Sequence, residues 1–206
     1  EHFGFLSSDY NISGFENGIT ACAGIAYVKK SYPFHYAVDL AEKLCSDAKN
    51  FVKSKGEYEN RNLQPEQNGL VPKSSLAFFK VQDSFIEDSL NEMKERTLKS
   101  ENINFAYGPY LIEADDRFAN IVELQNKLEV IKTFEDKEGN NGESKGISKL
   151  RNWTTEAFKD KTTADFMLER MHTVNADFYD KIKLGDHKKN CKSIIYDVIQ
   201  LSSFND

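Results

Sequence analysis

Cysteine is scarce in this 206-residue chain, and the three present, Cys22, Cys45 and Cys191, form no CxxC pair. An odd set without paired spacing speaks against a disulfide framework or a zinc ribbon. With Cys22 and Cys45 at apolar-periodic positions, it points to buried free thiols in a reducing cytoplasm. No apolar run approaches the ~20 residues that a spanning helix needs, and no secretory leader pattern opens the chain, so no membrane contact is expected. The first residue is Glu1 rather than methionine, as expected of a chain processed or cut from a longer protein. Excess positive charge is missing as well. Net charge is −6, with both signs spread along both halves, so no basic face for phosphate backbones stands out and direct nucleic-acid binding is expected to be weak or absent.

Catalytic and metal signatures are equally sparse. His2, His35, His172 and His187 have no HxxxH or HExxH spacing. No P-loop, dinucleotide fingerprint or Gly-x-Ser-x-Gly elbow occurs, and there is no internal repeat. What remains, at 39% hydrophobic and 12% aromatic residues, is enough to bury a core as one domain or two small ones.

The most informative stretch runs from Ile19 to Gly56. Ile19–Val28 is rich in Ala, Ile, Tyr and Val around Gly24 and reads as a strand with one point of close backbone approach. Lys29-Lys30-Ser31-Tyr32-Pro33 is a polar turn closed by a proline. Ala37, Leu40, Ala41, Leu44, Cys45 and Ala48 then recur at spacings of three and four, the stripe of a helix packed on a sheet. Lys49, Lys53 and Lys55 gather at its C-terminal end, and Gly56 stops it.

Around this unit, Glu1–Gly18 reads as a helix tail and a structured loop, and Glu57–Lys73 as an exposed loop. Ser75–Val81 is a strand, Ser84 and Glu87 have capping-box spacing for a helix to about Leu98, and Ile103–Ile112 is a last strand that Pro109 confines to an edge or bulge. A helix to about Phe134 follows, then a polar linker over Asp136–Gly146. Helices over Ile147–Lys159, Thr163–Lys183 and Asn190–Leu201 finish the chain, with Thr162 and Asp165 as a capping pair. Trp153, Phe158, Phe166, Met167, Met171 and Phe178 are expected in the core of those helices.

The segment ITACAGIAYVKKSYPFHYAVDLAEKLCSDAK resembles part of the second palm domain in the large polymerase-like subunit of type III CRISPR effectors. More distantly it is similar to the back half of GGDEF nucleotide cyclases. SSLAFFKVQDSF (Ser74–Phe85), the Gly-Pro-Tyr-Leu-Ile strand end (Gly108–Ile112) and KGISKLRNW (Lys145–Trp153) extend the resemblance over most of the chain. It implies a partial palm (ferredoxin-like, GGDEF-like) sheet over Glu1–Glu113; with the helical pattern that follows over Ala114–Asp206, the expected fold is α+β with an all-helical C-terminal portion. The resemblance further implies antiviral defence and a nucleotide site for cyclic oligonucleotide synthesis, with ATP and Mg²⁺ bound in the intact protein and neither expected on this chain alone.

In such palms two divalent metals sit on carboxylates of a Gly-Gly-Asp-Asp or Gly-Gly-Asp-Glu-Phe hairpin upstream of the strand that Ile19–Val28 resembles. No such motif occurs here, and the adjacent pair Asp115-Asp116 reads as acidic residues at a helix start. By resemblance, Lys49, Lys30 and Lys29 would face nucleotide phosphates; the plain alternative is solvated lysines at a helix end and in a turn. Cys22 stands where the family pattern has serine, so a small residue under the helix is the safer reading there. Two functions are compatible with this: the back wall of a nucleotide site in a larger enzyme, this chain alone being inactive, or a non-catalytic palm-derived structural or protein-interaction module. Either way the sheet is short of strands, and completion by the preceding part of the same protein, by a second chain or by CRISPR effector subunits is expected.

Overall fold

The computed structural model describes residues 20–54, 73–82, 89–101, 103–115, 118–138, 146–182 and 192–203. The expectations for Glu1–Gly18, for the loop between Gly56 and Pro72, for the Ser84–Glu87 pair, for most of the polar linker and for Cys191 lie outside those residues. The architecture is α+β and mostly helical. Two compact units divide the chain, one of Glu1–Ile86 with Pro109–Ile121, the other of Glu87–Gly108 with Val122–Asp206.

In the first unit, β1 (Cys22–Tyr27) leads through the turn into α1 (Phe34–Ser54), which returns the chain to β2 (Ser75–Lys80). The helical stripe does what its spacing predicts: Leu40, Leu44, Ala48 and Val52 are buried against the sheet. Each large aliphatic among them contributes about 1.5–3 kcal/mol through burial. β2 alternates, with Ser75, Ala77 and Phe79 buried beneath the helix. Ser75 is reconciled with burial by donating its hydroxyl to the Ala48 carbonyl at 3.0 Å.

β1 pairs with β2 in parallel, from Cys22 opposite Ser75 to Tyr27 opposite Lys80. β2 pairs antiparallel with β3 (Tyr110–Leu111), so the middle strand is β2. β1 is an edge strand: among the described residues it has a neighbour on one side only. The strand expected over Ile103–Ile112 is reduced to two residues. Pro109 brings no N–H to a ladder, and Asn104, itself part of the second unit, bridges Lys99 and Lys192 within that unit. On the sheet face away from α1, Phe78 stands edge-on to Tyr27 and stacks on Tyr110 at 5.6 Å between centroids.

Asp115 is not in a helical first turn, as its acidic pairing with Asp116 suggested. Its carboxylate is buried and accepts from Lys73 at 2.9 Å, tying the entry of β2 to the exit of β3. Asp116 itself lies outside the described residues.

In the second unit, α2 (Leu90–Leu98) is capped by Ser89, whose hydroxyl accepts from the Glu92 amide. α3 (Ile121–Glu138) runs past the expected end at Phe134. α4 (Gly146–Lys159) and α5 (Lys161–Val174) meet at Asp160, which accepts from the Thr162 and Thr163 amides and replaces the expected Thr162–Asp165 cap. The bond from the Thr163 side chain, then those from the backbone, hold the Asp160 carboxyl below its ordinary pKa. A depressed carboxyl stabilises the fold above its unfolded pKa, and that contribution is lost as pH falls through the folded value.

The helix expected over Thr163–Lys183 is two helices, α5 and α6 (Ala176–Ile182), because Asn175 serves both ends. Its amide donates to the Met171 carbonyl and its side-chain oxygen accepts from the Phe178 amide. α7 (Ile195–Ser202) closes the described chain.

The core of this unit is aromatic. Phe105 meets Trp153 edge-on at 6.0 Å and lies against Phe158 and Tyr196. Burial, with a smaller push from Asp197, raises the Tyr196 hydroxyl to about 12. Phe166, expected in this core, is 66% exposed, because the buried stripe of α5 is Ala164, Leu168 and Met171. Lys127, which no pattern singles out, is buried instead and donates to the Ile182 carbonyl at 2.8 Å, satisfying the last turn of α6.

Candidate functional site

The features that could act on something else gather at β1 and the helix above it. β1 is built of small residues, and Gly24 is the one over which α1 crosses. A Cβ there would fall inside contact distance of the Ala41 carbonyl oxygen and the Cys45 amide, and 3.0 Å from the Leu44 carbonyl carbon. The close approach read from the sequence is therefore a helix backbone seated on a strand backbone.

The hydrogen bonds of β1 have a definite sense. The Ser75 amide donates to the Ala21 carbonyl and the Val81 amide to the Tyr27 carbonyl. Residues alternate along a strand, so Ala21, Ala23, Ile25 and Tyr27 turn their peptide groups to β2, and Cys22, Gly24 and Ala26 turn theirs outward. The Cys45 thiol, 3.4 Å from the Cys22 carbonyl, covers one of those outward groups. Gly24 and Ala26 have no strand beside them among the described residues.

The thiol contact also fixes which side of α1 overhangs this edge. Phe34, Val38, Ala41 and Cys45 fall on one helical stripe, with Phe34 81% exposed and Val38 39%. Phe51, on the opposite flank, meets Phe118 near β3. Among the described residues, an open strand edge and a half-exposed apolar wall thus form two sides of a groove. Cys22 and Cys45 border it as free thiols, half-buried where burial was expected.

Lys29 and Lys30 are exposed in the turn that follows β1, which is closed by a Tyr32 amide donating to the Lys29 carbonyl at 2.9 Å. The Pro33 carbonyl then accepts from Tyr36 and Ala37 and starts α1. Lys49 is exposed on the same helix, fifteen residues beyond Phe34, or about 20 Å along the axis at ~1.5 Å per residue. The structure therefore brings Lys29 and Lys30 together and sets Lys49 at the far end, so a single triphosphate does not touch all three.

Among the described residues no three His, Cys, Asp or Glu side chains stand close enough to hold a metal ion, and no helix is long and apolar enough to cross a membrane. His35 and His172 are exposed and lie against Tyr36 and Tyr179. The open edge of β1 is a feature that single-residue patterns miss; the run of small residues Ala21–Gly24 and Ala26 under a helix is its sequence trace. Set against known proteins, the chain matches no family model and no curated protein.

Proposed function

We propose that this chain is a palm-derived structural and protein-interaction module whose sheet is completed by further polypeptide. That polypeptide is the preceding part of the same protein or a second chain, in keeping with the resemblance to CRISPR effector subunits. The open outer edge of β1 carries this reading. Unpaired strand edges are recognition sites by default, because their N–H and C=O groups already lie in strand register.

Direct pairing of β1 with β2 favours the module over an intact palm. A ferredoxin-like sheet splits its βαβ unit with a strand in between, and the six-residue register of Cys22–Tyr27 against Ser75–Lys80 leaves no slot there. Added strands have the outside of β1 available instead.

Amide hydrogen exchange on the isolated chain tests this. The Gly24 and Ala26 amides are expected to exchange at least about tenfold faster than those of Ala23 and Ile25 in the same strand. Equal protection along β1 contradicts the open edge.

A second reading rests on Lys29 and Lys30. They follow the C-terminal end of a parallel strand and precede a helix N-terminus, the usual place for phosphate in α/β units. In this reading the turn holds nucleotide phosphates in a larger CRISPR-polymerase-like enzyme that makes cyclic oligonucleotides from ATP with Mg²⁺, the metals being held by residues outside this chain. Titration with ATP and Mg²⁺ is expected to show binding that weakens severalfold in Lys30→Ala and is unchanged in Lys49→Ala; equal weak binding in all three proteins removes the reading.

A further inference from the structure

The groove beside β1 has a chemical preference that goes beyond its being open. Its floor is the outward peptide groups of Gly24 and Ala26, and its wall is the Phe34–Val38–Ala41–Cys45 stripe. Its two ends are basic. Lys29 and Lys30 stand exposed at the C-terminal end of β1, and Lys49 and Lys53 stand exposed at the C-terminal end of α1. No ion pair involves any of these four lysines among the described residues. Of the described acidic residues of α1 beside the wall, Asp39 is held by Lys43 at 2.6 Å and Glu42 is exposed. Four lysines about one groove reverse the sign of a chain whose net charge is −6.

We infer that this groove binds an extended acidic segment of a partner polypeptide, added to β1 as a fourth strand. The partner's alternate apolar side chains lie against Phe34 and Val38, and its carboxylates meet the lysines at the two ends. Main-chain bonds to Gly24 and Ala26 supply register, the apolar wall supplies contact area, and the basic rim selects the sign of charge. A second copy of this chain is disfavoured as occupant on the same ground, since its own β1 carries no acidic residue between Ala21 and Tyr27.

This inference rests on the open-edge reading, and its test separates the two. Two fluorescent peptides of about ten residues are titrated against the full chain; one alternates valine with glutamate, the other valine with lysine. The same titrations use Ala26→Pro, which removes an outward N–H and leaves the bonds to β2 in place. The expected result is that the glutamate peptide binds at least about tenfold more tightly at low salt, that the gap narrows as salt rises, and that binding is lost in Ala26→Pro while its circular dichroism is unchanged.

Equal affinities, tighter binding of the lysine peptide, no binding of either, or full binding by Ala26→Pro overturns the acidic occupant. A dimer that forms without peptide and disperses in Ala26→Pro overturns it too, and assigns the edge to a second copy. Amides of Gly24 and Ala26 already protected in the free chain mean that the open-edge reading itself has failed.

Discussion

Replacing Gly24 with valine is expected to lower stability by about 3 kcal/mol, the upper part of the range for overpacking a closely packed site. In a domain of this size that is a fall in melting temperature of roughly 10 °C. The reason is that the new side chain meets backbone, not a side chain that can turn aside: the Ala41 carbonyl oxygen and the Cys45 amide occupy the place of its Cβ. To make room, α1 must lift from β1 and take Leu40, Leu44 and Ala48 out of contact with the sheet. Gly24→Ala is expected to fail in the same direction by a smaller amount. Gly146 is the contrast. A Cβ there would lie 3.1 Å from a ring atom of Phe178, a side chain that can shift by a few tenths of an ångström, so Gly146→Ala should cost under about 1 kcal/mol. Thermal melts of the three variants check the set; equal losses at both glycines would mean that α1 is not seated on β1 in this way.

The β1–turn–α1–β2 unit was legible because its signals are local and agree with one another. Strand composition, a proline-closed turn and a three-four stripe each point to the same element, and one glycine among alanines marks the crossing of strand and helix. Sheet order was not legible, because which strand is central depends on pairings between residues more than fifty positions apart, and Ser75 beside Cys22 is settled by no local pattern. Aromatic content misled twice. Ile103–Ile112 looked like a strand, yet Phe105 is needed in the helical core with Trp153 and the ladder shrinks to Tyr110–Leu111. Helical spacing with Trp153 and Met171 puts Phe166 in the expected core as well, yet the buried face of α5 is completed by Ala164, Leu168 and Met171.

Polar capping was partly readable. Ser89 and Glu92 have capping-box spacing, and Asp160 precedes a helix directly, but Ser84–Glu87 and Thr162–Asp165 offer the same residue types nearby, and local pattern does not separate them. Buried Lys127 left no trace, since a lysine in a helix ordinarily reads as solvated. For the candidate site, the lysines were visible and their separation was not. Lys29 and Lys30 share a turn while Lys49 stands about 20 Å away along α1, and that distance changes what any one ligand can reach. The groove was invisible for a different reason: it consists of backbone groups whose direction depends on which strand edge is covered.

That edge is also where the second large effect is expected. Proline at position 25 and proline at position 26 bend the same strand and bring the same ring, but they remove different hydrogens. The Ile25 amide belongs to the set that faces β2, between the Ala21 and Tyr27 carbonyls that accept from Ser75 and Val81. Ile25→Pro therefore deletes a ladder bond and drives the ring into the neighbouring strand, a loss of about 3 kcal/mol. The Ala26 amide faces outward, where a proline on an edge strand is tolerated, so Ala26→Pro should cost no more than about 1 kcal/mol. Because the strain of the bend is common to both, the difference between them reports the direction of the hydrogen bonds. Denaturant melts of the pair read that direction: Ile25→Pro is expected to be the less stable variant by about 2 kcal/mol, and equal losses, or a greater loss in Ala26→Pro, would contradict an open outer edge on β1.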